Sequence, residues 1–267
     1  MKNTSNIKNF FLKQTVLIFQ KTAYLSALSC RLVQWTGKHP DPIHPKHLLQ
    51  IRTPWYFPYV TKSDLVLDIG CNNGQHSLKI APKCKRIVGF DIDKTLLGLA
   101  QKEAKRKGIK NCSFVYGDAQ KEFPFKRESF DLIVFLDVFE HLVKRKEALL
   151  EVRRVLKKDG YLLLSIPNSE TSWKKLQKSL GLFYYSDPDH KVEFSQTKIT
   201  TLLKSAGFTT GKLFPVTFDT PWVGFIDLLG GISFSLYKKA CQWRRNKTLH
   251  NPSESIGFEI VATKNNV

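Results

Sequence analysis

Four aspartates in this chain stand where apolar runs give way to loops. Asp68 lies within LVLDIGCNNG (65–74), Asp91 ends RIVGFD (86–91), Asp118 follows SFVYG (113–117), and Asp137 follows FDLIVFL (130–136). An acid at the end of the second run is placed to take both hydroxyls of a ribose. The loop from Gly70 to Gly74 lets the backbone approach a ligand closely and adopt torsions closed to other residues. Glycine loops of this kind also serve dinucleotides, but Asp68 at the base of the loop is unhelpful to a pyrophosphate. It suits a ligand with a cationic amine and no phosphate. Two histidines complete the reactive set: His141, next to Glu140, and His190 in SDPDHKVEFS (186–195). An imidazole at either place could take the proton of a hydroxyl.

The elements that would hold these groups are legible in the pattern. Strand-like runs at 65–69, 86–91, 113–116, 131–136 and 161–166 alternate with helical patterns near 75–82, 94–107 and 142–157. Gly108, after a lysine-rich turn, and Gly160, after Lys157 and Lys158, read as helix ends. The alternation predicts an α/β fold with a parallel sheet covered by helices on both faces. Ligands bind such sheets outside the carboxyl ends of the strands. That edge is where the aspartates fall. Together they suit a ligand with a ribose, an exocyclic amine and a positive charge, and S-adenosylmethionine has all three.

In order along the chain, VLDIGCNNG, GFDID, YGDAQ, FDLIVFLDVFEHL and LKKDGYLLLSIPN resemble the successive motifs of class I S-adenosylmethionine-dependent methyltransferases. The likeness is to the type 11 and ubiquinone-pathway group and covers about residues 60 to 215. It implies a Rossmann-like domain: a mostly parallel seven-stranded sheet with helices on both faces and an antiparallel last strand. It also implies cofactor-binding roles. Asp68 and the loop of Gly70, Cys71, Asn72 and Gly74 would hold the methionine end. Asp91, with Ile92, would bind the ribose. Asp118 with Ala119 would border the adenine, and Asp137 would line the pocket near the transferred methyl. The family usually has glycine where Asn72 stands. Asparagine is the residue that best tolerates a left-handed torsion after glycine, so the loop is expected to keep its shape.

Methyl transfer from a sulfonium is a direct displacement, to which a protein contributes mainly alignment and exclusion of water. A hydroxyl acceptor also needs a base or a metal. His141 and His190 are the candidate catalytic residues. Asp137-x-x-Glu140-His141 is similar to the Glu-x-x-Glu-His of metal-assisted O-methyltransferases, a group that includes the small-RNA 3′-end 2′-O-methyltransferases. Asp189-His190-Lys191-Val192-Glu193 resembles a second stretch of the latter. On this resemblance Asp137, Glu140, His141 and His190 are candidate ligands for Mg²⁺ or Mn²⁺. In many methyltransferases with Asp-x-x-Glu-His the Glu and His are structural or touch substrate, so a metal is the alternative here and not the first expectation.

Residues 1–59 read as a helical extension and a linker marked by Pro40, Pro42 and Pro45. Phe11, Ile18, Leu25 and Leu32, with Leu17 and Tyr24, and Leu28 and Trp35, make one apolar stripe. The first expectation is a helix packed over the catalytic domain; the second is a helix lying on a membrane. Lys13, Gln14, Gln20, Lys21 and Arg31 interrupt the stretch, so no transmembrane span is expected, and no short apolar run precedes a small-residue cleavage site, so no signal peptide is expected. Residues 60–267 read as the methyltransferase domain. A helix at 194–208 and strands at 210–218 and 257–264 complete it, with an insertion at about 219–250 before the last strand. There, Thr220-Pro221 opens WVGFIDLLGGISFSLY (222–237), Gly230-Gly231 is expected to bend or break the helix, and the basic KKACQWRRNK (238–247) follows. The two readings of this insertion are a lid on the domain and an interfacial helix near anionic lipid.

The chain carries 42 lysines and arginines against 23 acids, a formal charge of +19. That excess points to an anionic partner or to many solvated lysines. The five cysteines (Cys30, Cys71, Cys84, Cys112, Cys241) show no paired spacing. This argues for a reducing, cytoplasmic setting, with peripheral contact at the inner face of a membrane as an added expectation. The expected function is methylation of a small-molecule or lipid-linked hydroxyl. The alternatives are an RNA 2′-O-methyltransferase and a cofactor-binding scaffold without activity.

Overall fold

The computed structural model describes residues 2–22, 24–49 and 54–265. In chain order its helices are α1 (Lys2–Lys21), α2 (Tyr24–Trp35), α3 (Gln75–Ile80), α4 (Lys94–Arg106), α5 (Arg145–Val155), α6 (Ser172–Ser179), α7 (Gln196–Ser205), α8 (Val223–Ile232) and α9 (Phe234–His250). The strands are β1 (Leu65–Ile69), β2 (Arg86–Asp91), β3 (Cys112–Tyr116), β4 (Phe130–Leu136), β5 (Leu156–Pro167), β6 (Phe208–Pro215) and β7 (Gly257–Lys264). Two compact units alternate along the sequence. One comprises residues 54–168, 186–214 and the segment from 257 onward. The other comprises the N-terminal helices with 169–185 and 215–256.

The first unit is built on a seven-stranded sheet in the order β3-β2-β1-β4-β5-β7-β6. Strands β1 to β5 run parallel, and β7 is antiparallel to β5. Side chains of a strand alternate between faces. Leu67 and Ile69 accordingly join one apolar layer with Ile133, Phe135 and Leu164, while Val66 joins the other with Ile87, Leu132 and Leu163. Burial on both faces is why these strands read as near-continuous apolar runs. The chain leaves β1 toward β2 and β3, then returns to place β4 on the other side of β1. The carboxyl ends of β1 and β4 therefore flank the point where strand order reverses.

Helix ends follow local chemistry. Asp93 caps α4 by accepting from the backbone N–H groups of Thr95 and Leu96, and Gly108 takes a left-handed φ of 66° just past its end, as expected. Gly160 departs from expectation. Helix α5 stops at Val155, and residues 156–160 already belong to β5, where the register shifts between Phe130 and Leu132. The lysine-glycine signal marks a strand irregularity there, not a helix cap. Strand β6 starts and ends earlier than the expected 210–218.

The second unit is helical. The expected apolar stripe is divided between α1 and α2, and Phe11, Ile18, Tyr24, Leu28 and Trp35 are exposed. The buried positions are Val16 on α1 and Ser29 and Val33 on α2. Leu17, Leu25 and Leu32 of the stripe are half-buried, so it is covered along one edge and open along the other. Gly230 and Gly231 do not break α8. A side chain on Gly230 would collide with Pro45, and one on Gly231 with Leu32 and the Ser29 carbonyl. These glycines serve close packing of α8 on α2, and the break comes at Ser233, whose φ of −132° separates α8 from α9. Buried Asp227 accepts from Ser26 Oγ at 2.6 Å and lies 3.1 Å from His44 Nε2, so the apolar 222–237 segment has a satisfied acid at its centre. Among the described residues no helix is long and apolar enough to cross a membrane.

Candidate active site

The loop after β1 turns on three left-handed residues: Gly70 (φ 70°), Asn72 (φ 50°) and Gly74 (φ 78°). Asn72 takes the torsion expected of it. Gly70 and Cys71 donate their N–H groups to the Phe90 carbonyl at 2.8 and 3.3 Å, which ties the loop to the end of β2. Asp91 fastens it further. One carboxylate oxygen accepts from Asn72 N–H at 2.7 Å and the other from Asp93 N–H at 2.9 Å. A carboxylate oxygen can accept more than one hydrogen bond, so Asp91 keeps acceptor capacity for ligand hydroxyls.

Asp68 is 3% exposed and accepts from Ser77 Oγ at 2.5 Å. Burial pushes its carboxyl up to about 7, against the pull of the Ser77 hydrogen bond. Burial also raises the Cys71 thiol. That keeps Cys71 protonated and unreactive, a spacer in the loop. Asp118 accepts from the Gln120 N–H at 2.9 Å beyond the end of β3. Ala119 beside it packs on the core, and Ile92, past β2, is exposed.

Asp137 follows β4 with a φ of 54°, a costly torsion for a non-glycine residue, on the order of 1–3 kcal/mol. Ser165 on β5 holds it twice: its hydroxyl donates to the carboxylate, and its carbonyl accepts from Asp137 N–H at 3.3 Å. The strained turn swings the chain into a short 3₁₀ segment, Phe139–His141.

Glu140 and His141 of that segment meet His190. Lys191 and Val192 donate their N–H groups to the Glu140 carbonyl, which fixes the His190 loop here. The imidazoles of His141 and His190 meet edge to face with centroids 4.8 Å apart. His190 Nδ1 is 2.9 Å from Glu193 Oε1, and its Nε2 is 3.8 Å from Glu140 Oε1. Glu193 thus accepts the Nδ1 proton, which leaves the Nε2 lone pair available; this tautomer is assigned from the hydrogen-bond network. Glu140 is 2% exposed, its Oε2 has no hydrogen-bond partner, and burial pushes its carboxyl up to about 8. Ligand atoms of Glu140, His141 and His190 all lie within 4.8 Å of one another. Asp137 does not belong to that group among the described residues.

Sequence reasoning passed over two groups at this edge. Tyr56, before β1, places its hydroxyl 2.8 Å from Nδ1 of His76 on the first turn of α3. His76 follows the glycine loop directly and could have been noticed on position alone. Tyr56 lies in a run of aromatics, WYFPY, with no signal to separate it from packing.

Comparison with known proteins bears on the family and the fold. A family model described as a methyltransferase domain matches residues 61–207. The uncharacterized methyltransferase YcgJ of Bacillus subtilis is 37% identical over 99 residues, 37% of this chain and 39% of that protein. The U6 snRNA methylphosphate capping enzyme Amus of Drosophila melanogaster is 31% identical over 182 residues, 58% of each chain. The chain spans about half the length of the curated relatives it matches. The crystal structure of YcgJ superposes with a TM-score of 0.55 at 22% identity, covering 78% of this chain and 94% of that one. At that identity the likeness shows the fold.

Proposed function

The chain belongs to the class I S-adenosylmethionine-dependent methyltransferases, and on that premise we propose that it methylates a hydroxyl of a small or lipid-linked acceptor. The observation that carries this reading is the acid edge: Asp68, Asp91, Asp118 and Asp137 lie at or just past the carboxyl ends of β1, β2, β3 and β4, and Asp91 fastens the loop that follows β1. The donor set fits S-adenosylmethionine. Asp68 and the Gly70–Gly74 loop would hold the methionine end, Asp91 the ribose, and Asp118 with Ala119 the adenine. When bound, the cofactor supplies an electrophilic methyl group on a positively charged sulfur.

The chain's own part is alignment and proton removal. His190 Nε2 takes the proton of the acceptor hydroxyl, and Glu193 holds the ring and stabilises the imidazolium that forms, as a carboxylate does for a general-base histidine. His141 packs edge to face against the same ring.

A second reading rests on Glu140 Oε2. A buried carboxylate oxygen without a partner is costly, and here it sits with two imidazoles in ligand range. Glu140, His141 and His190 fit a divalent ion that would bind and acidify a hydroxyl, with Glu193 orienting His190 from behind. An RNA 2′-hydroxyl is the acceptor this version favours, and the capping enzyme named above acts on an RNA.

The reading includes a cytoplasmic setting in contact with an anionic bilayer. All five cysteines are free. The first acid in the chain is Asp41, after Lys2, Lys8, Lys13, Lys21, Arg31 and Lys38. Helix α1 exposes Ile7, Phe10, Phe11 and Ile18. An apolar face on a helix with only basic charge suits anionic headgroups.

Transfer of a labelled methyl group from S-adenosylmethionine into host lysate, followed by extraction, tests the acceptor. Label in the organic or small-molecule fraction is expected. Label confined to RNA would overturn the preferred acceptor and favour the metal version.

A further inference from the structure

The acids at the sheet edge match every cationic or hydroxylic part of the proposed cofactor, but its methionine end also carries a carboxylate. Asp68, Asp91, Asp118 and Asp137 all repel such a group. Tyr56 and His76 are polar groups at the same edge with no role in the reading so far.

Tyr56 is 2% exposed, and its hydroxyl has His76 Nδ1 as partner at 2.8 Å. The two rings meet edge to face at 5.6 Å, so the contact is packed as well as hydrogen-bonded. Burial raises the Tyr56 phenol, and the charge of Asp68 adds to the effect. Burial lowers the His76 imidazole, with Lys79 acting in the same direction and Asp137 opposing. A phenol that keeps its proton beside a neutral imidazole donates to it. Nδ1 then accepts, and the ring proton stands on Nε2. His76 is thereby fixed as an N–H donor without net charge. It lies in the turn of α3 that directly follows the glycine loop, within electrostatic reach of Asp137.

We propose that His76, locked by Tyr56 as an Nε2–H donor, recognises the α-carboxylate of the cofactor's methionine moiety. This subsite rests on the cofactor reading above. It completes the charge match: acids face the ammonium, the ribose and the sulfonium, and a neutral donor faces the single anionic group. A lysine or arginine in this place would pair with Asp68 and Asp137 instead, whereas a neutral ring donor does not neutralise them.

Calorimetry with S-adenosylmethionine and its decarboxylated analogue separates the two claims. Wild-type protein is expected to bind the complete cofactor about tenfold or more tightly than the analogue, the scale of one hydrogen bond to a charged group. His76→Phe keeps a ring of similar size; it is expected to lose that preference and to bind the analogue nearly unchanged. His76→Gln, which restores a donor, is expected to recover much of the preference. Tyr56→Phe frees the tautomer and is expected to reduce it severalfold, an independent test should the His76→Phe protein fail to fold. Equal loss for both ligands in His76→Phe would make His76 a packing residue and overturn the subsite. No preference in the wild type would overturn it as well, while leaving the cofactor reading intact. Wild-type protein that bound neither ligand would overturn the cofactor reading and the subsite together.

Discussion

Ser77 Oγ donates to the buried carboxyl of Asp68 at 2.5 Å, and even with that bond the group titrates near 7. Glu140 behaves alike, titrating at about 8. The sign follows from proton counts. Between about pH 4 and 7 these carboxyls are ionised in the unfolded chain and protonated in the folded one. The folded state binds more protons, so stability falls as pH rises through that window. For Asp68 alone the loss is on the order of 3 kcal/mol. Urea titrations of the ligand-free protein at pH 5 and pH 7.5 should show it, and Asp68→Asn should remove this share of the fall, leaving the share due to Glu140.

The same titration couples to the ligand. A cationic amine beside Asp68 favours the carboxylate, so binding expels a proton below pH 7. Affinity for S-adenosylhomocysteine is expected to rise roughly tenfold or more from pH 5.5 to 7.5. Calorimetry in buffers of different ionisation enthalpy should reveal the released proton. An affinity independent of pH, with no proton released, would place the amine elsewhere.

His190 is held for base work by Glu193 at 2.9 Å. His190→Gln is expected to lower kcat by about 10²–10⁴-fold while cofactor affinity stays within about twofold. A chelator should leave the wild-type rate unchanged. Loss of activity restored by Mn²⁺ would replace the base with a metal.

Two glycines in helices should respond oppositely to alanine. At Gly98 on α4 a methyl group meets open space, and the gain in helix propensity is about 0.5–1 kcal/mol. At Gly231 it meets Leu32 and the Ser29 carbonyl, and overpacking should cost about 1–3 kcal/mol. Thermal melts of the two variants should move in opposite directions. Equal shifts would deny the close α2–α8 packing.

Helix α1 supplies a separate test. The protein is expected to sediment with vesicles containing phosphatidylglycerol, less so as salt rises, and Phe10→Glu with Phe11→Glu should abolish this. Protein left in the supernatant with and without anionic lipid would contradict bilayer contact.

What the sequence revealed depended on how local each signal was. The glycine loop, the run of strands and the acids at their ends are written in consecutive residues, and β1, β2 and β7 lie where their apolar patterns put them. Asn72 was legible because one residue's torsion preference decides it. The partners of these groups were not legible. Ser165 holding Asp137, and Tyr56 fixing His76, are contacts across strands and loops that leave no spacing in the chain. Gly230 and Gly231 misled for the same reason. A helix break and a close helix contact select the same residue, and only the facing Pro45 and Leu32 distinguish them. The N-terminal stripe falls on α1 and α2, and periodicity does not say which part of it a neighbour covers.

The most direct measurement is calorimetric titration of wild-type and Asp91→Ala protein with S-adenosylhomocysteine. Asp91 joins the glycine loop to the end of β2 and offers its remaining acceptor sites to a ribose. Micromolar-range binding is expected of the wild type, with a loss of about 100-fold or more in the variant, the scale of two charge-assisted hydrogen bonds. Unchanged affinity in a folded Asp91→Ala protein would contradict the cofactor site at its centre.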